Sequence, residues 1–169
     1  GDGMSSVSIR VNADTDSELD ALIGRLDQIS GIDKAGVMNA IAEGLRTSTQ
    51  ERFRTGTAPD GSRWTPSMRA RLGQGNTLII SHDLETSIHT KADATGAAIG
   101  TDKEYAATHQ FGDERTIRAK KGKYLKFQVG DRTVYTPSVR VNIPARPFLG
   151  ISDSDREEIR ELLEEVFKE

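Results

Sequence analysis

The chain has 169 residues, 23 of them basic and 26 acidic, for a formal charge of −3, with no cysteine and only nine aromatic side chains. A length of this order predicts one domain that buries roughly 70% of its unfolded surface and needs neither metal nor disulfide to stand alone. Zero cysteines exclude a disulfide framework, thiolate metal sites and thiol catalysis. A mildly acidic total argues against a nucleic-acid binder that is positive all over, while leaving room for a local basic patch. No apolar run approaches the roughly 20 residues needed to cross a bilayer, and no basic-then-apolar leader stands at the start, so a soluble protein made in the cytoplasm is expected. Gly1-Asp2-Gly3 ahead of Met4 reads as a cloning remnant, leaving residues 4–169 as a single domain.

Val7, Ile9 and Val11 alternate and predict a short strand. From Asp14 to Ile29, Leu19, Leu22, Ile23, Leu26 and Ile29 recur at helical spacing, with Asp14, Thr15, Asp16 and Ser17 as caps or favourable first-turn residues and Gly31 as the stop. Val37, Ile41, Leu45 and Phe53 mark a second helix from about Asp33, its cap, to Phe53. Between Arg54 and Asn76 the pattern breaks into turn residues around Trp64, which predicts a long loop. A short helix about Leu84 and Ile88 and a strand pair turning near Asp93 to Gly96 follow, then a helical turn from Tyr105 to Phe111 closed by Gly112. Tyr124 to Val129, a turn at Gly130-Asp131, and Thr133 to Tyr135 predict a β-hairpin. Pro144 and Pro147 force an extended crossing, and Asp153 to Glu169 is a final helix with Ile159, Leu162, Leu163, Val166 and Phe167 on one face.

Charge is unevenly placed. Arg115, Arg118, Lys120, Lys121, Lys123 and Lys126 fall in one stretch without an acidic residue, whereas the final helix holds eight acidic and three basic residues. Opposite signs at two places in one chain suit head-to-tail self-association, and they equally suit a solvated surface. The basic stretch has a second use, tracking a phosphate backbone with Tyr124 and Phe127 as stacking faces.

Catalytic patterns are missing. His82, Asp83, Glu85 and His89 lie close in sequence, but they lack the helical His-Glu-x-x-His spacing of a zinc site. A metal-dependent nuclease needs an acidic residue two places before a lysine on one strand face, and no lysine here has one. There is no Gly-x-Ser-x-Gly elbow, and Gly73-Gln74-Gly75 lacks the third glycine of a dinucleotide fingerprint. The sequence therefore predicts no enzyme, no cofactor, no metal and no small-molecule substrate.

Four separated pieces carry a more specific signal. They are Arg52-Phe53 with Pro59-Asp60-Gly61-Ser62-Arg63-Trp64; Leu78 to Ile88 around Ser81-His82-Asp83-Leu84; Tyr105-Ala-Ala-Thr-His-Gln-Phe-Gly112; and Ile143-Pro-Ala-Arg-Pro-Phe-Leu-Gly150. In this order they resemble the phage virion morphogenesis family, the tail-completion proteins of Mu-like and related tailed phages and prophages, over about residues 35 to 169. The family usually shows a Ser-Gly turn before the leucine of the second piece, where this chain has Ser81-His82-Asp83-Leu84, so the local turn is expected to differ. The resemblance implies a structural subunit of a ring at the head-tail joint or tail end, with no catalytic residues to carry over.

The residues themselves fit such a role. Asp60-Gly61 is placed to turn the chain so that Trp64 meets Phe53, and the two prolines hold Arg146 and Phe148 in a fixed extended strip. Trp64, Tyr105, Phe111, Arg146 and Phe148 are the candidate interface residues, each with the alternative of closing the domain core. His109 is expected to be a structural residue rather than a ligand.

The expected fold is α+β: an antiparallel β-sheet with helices packed on one side, a projecting β-hairpin and a C-terminal helix. The expected partners are further copies in a ring, with six as the anticipated number, and other tail or head-tail connector proteins. The basic arm, Arg115, Arg118, Lys120, Lys121, Lys123 and Lys126, would meet a neighbouring subunit or DNA in the ring lumen. Assembly would occur in the host bacterial cytoplasm, with the product in the tail or neck of the virion and no membrane contact. The alternative is a small nucleic-acid-binding regulator that uses residues 115–126.

Overall fold

The structure is a computed structural model and describes residues 7–11, 17–66, 82–103, 105–119, 124–129 and 131–168. In chain order the described elements are β1 (Val7–Val11), α1 (Ser17–Asp27), α2 (Lys34–Thr55), α3 (His82–Thr86), β2 (His89–Asp93), β3 (Gly96–Thr101), α4 (Ala106–Phe111), β4 (Asp113–Arg118), β5 (Leu125–Val129), β6 (Arg132–Thr136), β7 (Ser138–Ile143) and α5 (Asp153–Lys168).

The long helix α2 organises the body. Its start is fixed by Asp33, whose carboxylate accepts the Gly36 amide at 3.0 Å, as the sequence predicts for an N-cap. Its end is set by Gly56, which takes the left-handed conformation (φ +67°) and returns its N–H to the Arg52 carbonyl at 2.8 Å. Between these ends, Met38, Ile41, Ala42, Leu45 and Phe53 form a buried face. α2 lies against β2 and β3, and α5 packs on both α1 and α2.

The sheet of the body is antiparallel with order β1-β3-β2. Val7 pairs with Thr101 and Val11 with Ala97 on one edge, and His89 with Gly100 and Asp93 with Gly96 on the other. The central strand β3 is buried, and its small residues let α2 approach closely. The β2–β3 turn falls where the sequence places it, with Asp93 Oδ1 accepting the amides of Thr95 and Gly96. Leu19, Ile23, Leu26, Leu84, Ile88, Ala97, Ile99, Ile159 and Leu163 complete one core.

The region from β4 to β7 extends the predicted hairpin. The sequence predicts a hairpin around Tyr124 to Tyr135 with the basic stretch Arg115 to Lys126 leading into it, whereas β4 and β7 form a second ladder, from Asp113 opposite Ile143 to Arg118 opposite Ser138. β4 reads Asp-Glu-Arg-Thr-Ile-Arg, with a single apolar residue, so its strand character comes from its partner rather than its own propensity. The β5–β6 hairpin continues the ribbon, with Leu125 opposite Thr136 and Val129 opposite Arg132. Six positions, 119–124, separate the two ladders on the outgoing strand, and one, Pro137, separates them on the return. Among the described residues, none of the body's helices or strands packs broadly against this ribbon.

Asp14, Thr15 and Asp16, the part of the expected loop beyond Pro66, Leu78 to Ser81 and Glu169 lie outside the described residues.

Candidate functional site

Two of the sequence pieces, the end of α2 with loop 56–66 and α4, seat a third, the strap 144–150, which leaves β7 and crosses the end of α2 before α5 begins; no contact of the second piece with the strap is seen among the described residues. Loop 56–66 supplies one side of the seat. Asp60 Oδ1 accepts the Ser62 amide and hydroxyl at 2.9 and 2.6 Å, Gly61 takes φ +91°, and Gly61 N–H donates to the Ala58 carbonyl. Those bonds to Ser62 hold the Asp60 carboxyl below the usual carboxylate range. The turn brings Trp64 edge-on to Phe53, ring centres 5.8 Å apart, as the sequence predicts. Trp64 Nε1 then donates to the Pro147 carbonyl at 2.7 Å, and Phe148 lies 5.3 Å from the Phe53 ring.

Polar groups fix the rest of the strap. Gln110 on α4 accepts the amides of Phe148 and Leu149 through Oε1 and donates Nε2 to the Leu149 carbonyl. The Arg146 amide donates to the His109 carbonyl and its Nε to the Thr65 carbonyl. Arg52, at the end of α2, reaches both the Phe148 carbonyl (2.8 Å) and the Asp155 carboxylate (2.5 Å), with Ser48 also in range. Asp155 sits three residues after Ser152 in a reciprocal cap: Asp155 Oδ2 accepts the Ser152 amide and Ser152 Oγ accepts the Asp155 amide, both at 3.0 Å. Burial pulls the Arg52 guanidinium below its ordinary pKa, and Asp155 pulls it back up.

Two glycines permit close approach. A Cβ on Gly112 (φ +77°) would lie 2.7 Å from the Ile143 carbonyl, and one on Gly150 would lie 2.5 Å from the Pro59 ring.

The candidate interface residues therefore divide. Trp64, Arg146 and Phe148 are buried within the chain, at 5%, 8% and 0% exposure, and spend their contacts on its own strap. Phe111 is 71% exposed at the end of α4, and Tyr105 is partly exposed, edge-on to His109. Burial lowers the His109 pKa, and the positive charge of Arg146 lowers it further. Sequence reasoning missed Gln110 and the Arg52–Asp155 pair as fixing residues; the Ser152-x-x-Asp155 cap spacing was the available signal for Asp155.

The ribbon carries the basic arm. Arg118 and Lys126 are exposed, Arg115 is placed by its β4 backbone, and Lys120, Lys121 and Lys123 lie outside the described residues. Tyr124 and Tyr135 are 61% and 62% exposed. The opposite charge lies on α5, where Glu158, Glu161 and Glu164 are exposed and form no ion pair among the described residues. A groove of about 200 Å³ runs between α2 and α5, lined by Ala40, Ile41, Gly44, Leu45, Ile159 and Leu162 together with Asp155 and Glu158.

Among the described residues there is no group of three acidic or histidine side chains able to hold a metal, and no helix long and apolar enough to cross a membrane.

Known proteins give this geometry a context. The chain is 27% identical to "Mu-like prophage FluMu G protein 2" of Haemophilus influenzae over 160 residues, covering 95% of this chain and 96% of that protein. It is 26% identical to "Tail completion protein S" of Escherichia phage P2 over 153 residues, covering 85% and 91%. No solved structure matches. The model of the phage virion morphogenesis family matches residues 14–168, a span that takes in the strap, every residue that seats it, the ribbon and α5, and the chain belongs to that family.

Proposed function

We propose that the chain is a structural, non-enzymatic subunit that completes the tail of a tailed phage or prophage, or joins tail to head, by forming a ring, with six copies as the working number. Membership of the virion morphogenesis family supports this, as does the likeness to a protein named for tail completion. The observation that supports it is the ribbon of β4 to β7, against which no described element of the body packs broadly, together with the contrast in the sequence between its basic stretch and the acidic α5. A two-stranded ribbon is marginal alone in water, so its full order needs a partner surface. The subunit would assemble in the host cytoplasm and end in the tail or neck of the virion, against neighbouring tail or connector proteins.

The genetic test is removal of the gene from the phage or prophage that carries it. Particles should then show incomplete or unattached tails by electron microscopy, restored by the wild-type chain in trans; complete, infectious particles would reject the role. In solution, Lys120→Glu, Lys121→Glu and Lys123→Glu together should weaken self-association, increasingly so at low salt where exposed charges are less screened. If the ribbon instead meets DNA in a ring lumen, or serves a small regulator, the wild type retards duplex DNA at low salt and the triple variant does not.

A further inference from the structure

We propose that the junction of α4 with the strap 144–150 is a lock on the direction in which the ribbon leaves the body, and that protonation of His109 opens it. The lock belongs to one chain, so it stands or falls separately from the ring reading.

Both roots of the ribbon meet at this junction. On the outgoing side Gly112 alone separates α4 from β4, and on the return the strap follows β7 without a break. Two consecutive residues of α4 tie these roots together. The His109 carbonyl accepts the Arg146 amide at 2.6 Å. Gln110 Oε1 accepts the amides of Phe148 and Leu149 at 3.1 and 3.0 Å, and its Nε2 donates to the Leu149 carbonyl at 3.0 Å. Gly112 lies so near the returning chain that a Cβ there would stand 2.7 Å from the Ile143 carbonyl oxygen and 2.9 Å from the Ala145 amide nitrogen. Among the described residues no element of the body packs broadly against the ribbon, so these bonds at its base set its angle. A ribbon held at one angle offers its exposed Tyr124, Lys126 and Tyr135 to a partner in one geometry, and a released ribbon does not.

His109 is the member of the junction that can change charge near neutral pH. Its Nδ1 is buried and has no hydrogen-bond partner among the described residues. The neutral ring accommodates this by leaving that nitrogen without a proton, whereas the imidazolium carries an N–H on both nitrogens and buries one donor unsatisfied. Two groups face the ring. From the strap comes the Arg146 guanidinium, a like charge held by its own bond from Nε to the Thr65 carbonyl. From α4 comes the Tyr105 ring, edge-on with centres 5.8 Å apart. Neither supplies a negative charge at neutral or acid pH. Burial and Arg146 together keep the imidazole neutral to lower pH than usual. A closed junction therefore binds the proton less well than an open one, and acid shifts the population toward the open form.

The absence of cysteine lets pairs of spin labels read the lock in the full chain. One pair joins the exposed positions Asn39→Cys on α2 and Thr116→Cys on β4, and a control pair joins Asn39→Cys to the exposed Ser154→Cys on α5. Labelled chain is diluted into excess unlabelled chain, so that distances within one copy are measured. The range runs from about pH 7.5 to about pH 5, with the His109 imidazole followed by NMR in parallel. The expected ribbon distance is narrowly distributed at the upper pH and broadens with the midpoint of the His109 titration, while the control pair stays narrow. His109→Gln should keep the ribbon distance narrow throughout, and Gln110→Leu should make it broad already at the upper pH. A His109 that does not titrate in this range, a ribbon distance that its titration leaves unchanged, or equal broadening in His109→Gln overturns the release. A distance that is broad in the wild type at the upper pH, or narrow in a folded Gln110→Leu chain, overturns the lock. Broadening of both pairs together is unfolding of the body, and it overturns the proposal as well.

Discussion

The strap and the ribbon are adjacent in sequence and opposite in construction. Residues 144–150 are held from every side: Trp64, Arg52 and Gln110 satisfy their carbonyls and amides, and Phe148 is fully enclosed. The strands β4 to β7 are paired in two ladders, yet no described element of the body lies broadly against them. Backbone pairing fixes local geometry in both regions; burial of side chains distinguishes them. The strap's rigidity is a property of one chain; on the proposed reading the ribbon's comes from the assembly.

That contrast can be broken at several points. The largest effect is expected at Asp155→Ala, which leaves Arg52 buried without its carboxylate and should cost about 3–5 kcal/mol in denaturant unfolding. A loss below about 1 kcal/mol would show that the pair does not hold the strap. Gly150→Ala places a Cβ against Pro59 and should cost about 1–3 kcal/mol by the same measurement, the strap or loop 56–66 shifting to make room. On the ribbon, Tyr124→Ser and Tyr135→Ser should change protomer stability by no more than about 0.5 kcal/mol in either direction, because both rings are exposed, while weakening association measured by light scattering.

The smallest effect concerns pH. His109 has its pKa lowered in the folded chain, so below about 6.5 the unfolded state takes up a proton first and folding loses stability. Stability from this residue is complete above that pH and declines as pH falls toward the folded pKa. Calorimetry from pH 7 to 5 should show a falling Tm, with a shallower fall in His109→Gln; equal slopes would remove His109 as the cause.

Much of the body was legible in the sequence because its signals are local. Asp33 and Gly56 punctuate α2 by capping chemistry, Asp93 and Gly96 fix a turn, and Asp60-Gly61 aims Trp64 at Phe53. The strap was legible as an extended strip but not as an internally seated one. Whether Phe148 faces a partner or its own core depends on Arg52 and Gln110, which lie 96 and 38 positions away. β4 escaped because its charged sequence becomes a strand only opposite β7, and pairing partners leave no mark in a single sequence. The charge contrast between ribbon and α5 was visible from composition; the apolar groove needed the packing of two helices distant in sequence.

The most direct test of the division between folding and assembly is the mass and stability of a shortened chain. Arg118 and Ser138 face each other in the β4–β7 ladder, so residues 119–137 can be replaced by an Asn-Gly hairpin turn. Sedimentation equilibrium alongside denaturant unfolding should find a folded monomer at all concentrations, with the unfolding midpoint the full chain shows when diluted to a monomer, where the concentrated full chain is an oligomer. A shortened chain that still assembles to the full chain's mass, or that no longer folds, would contradict the account.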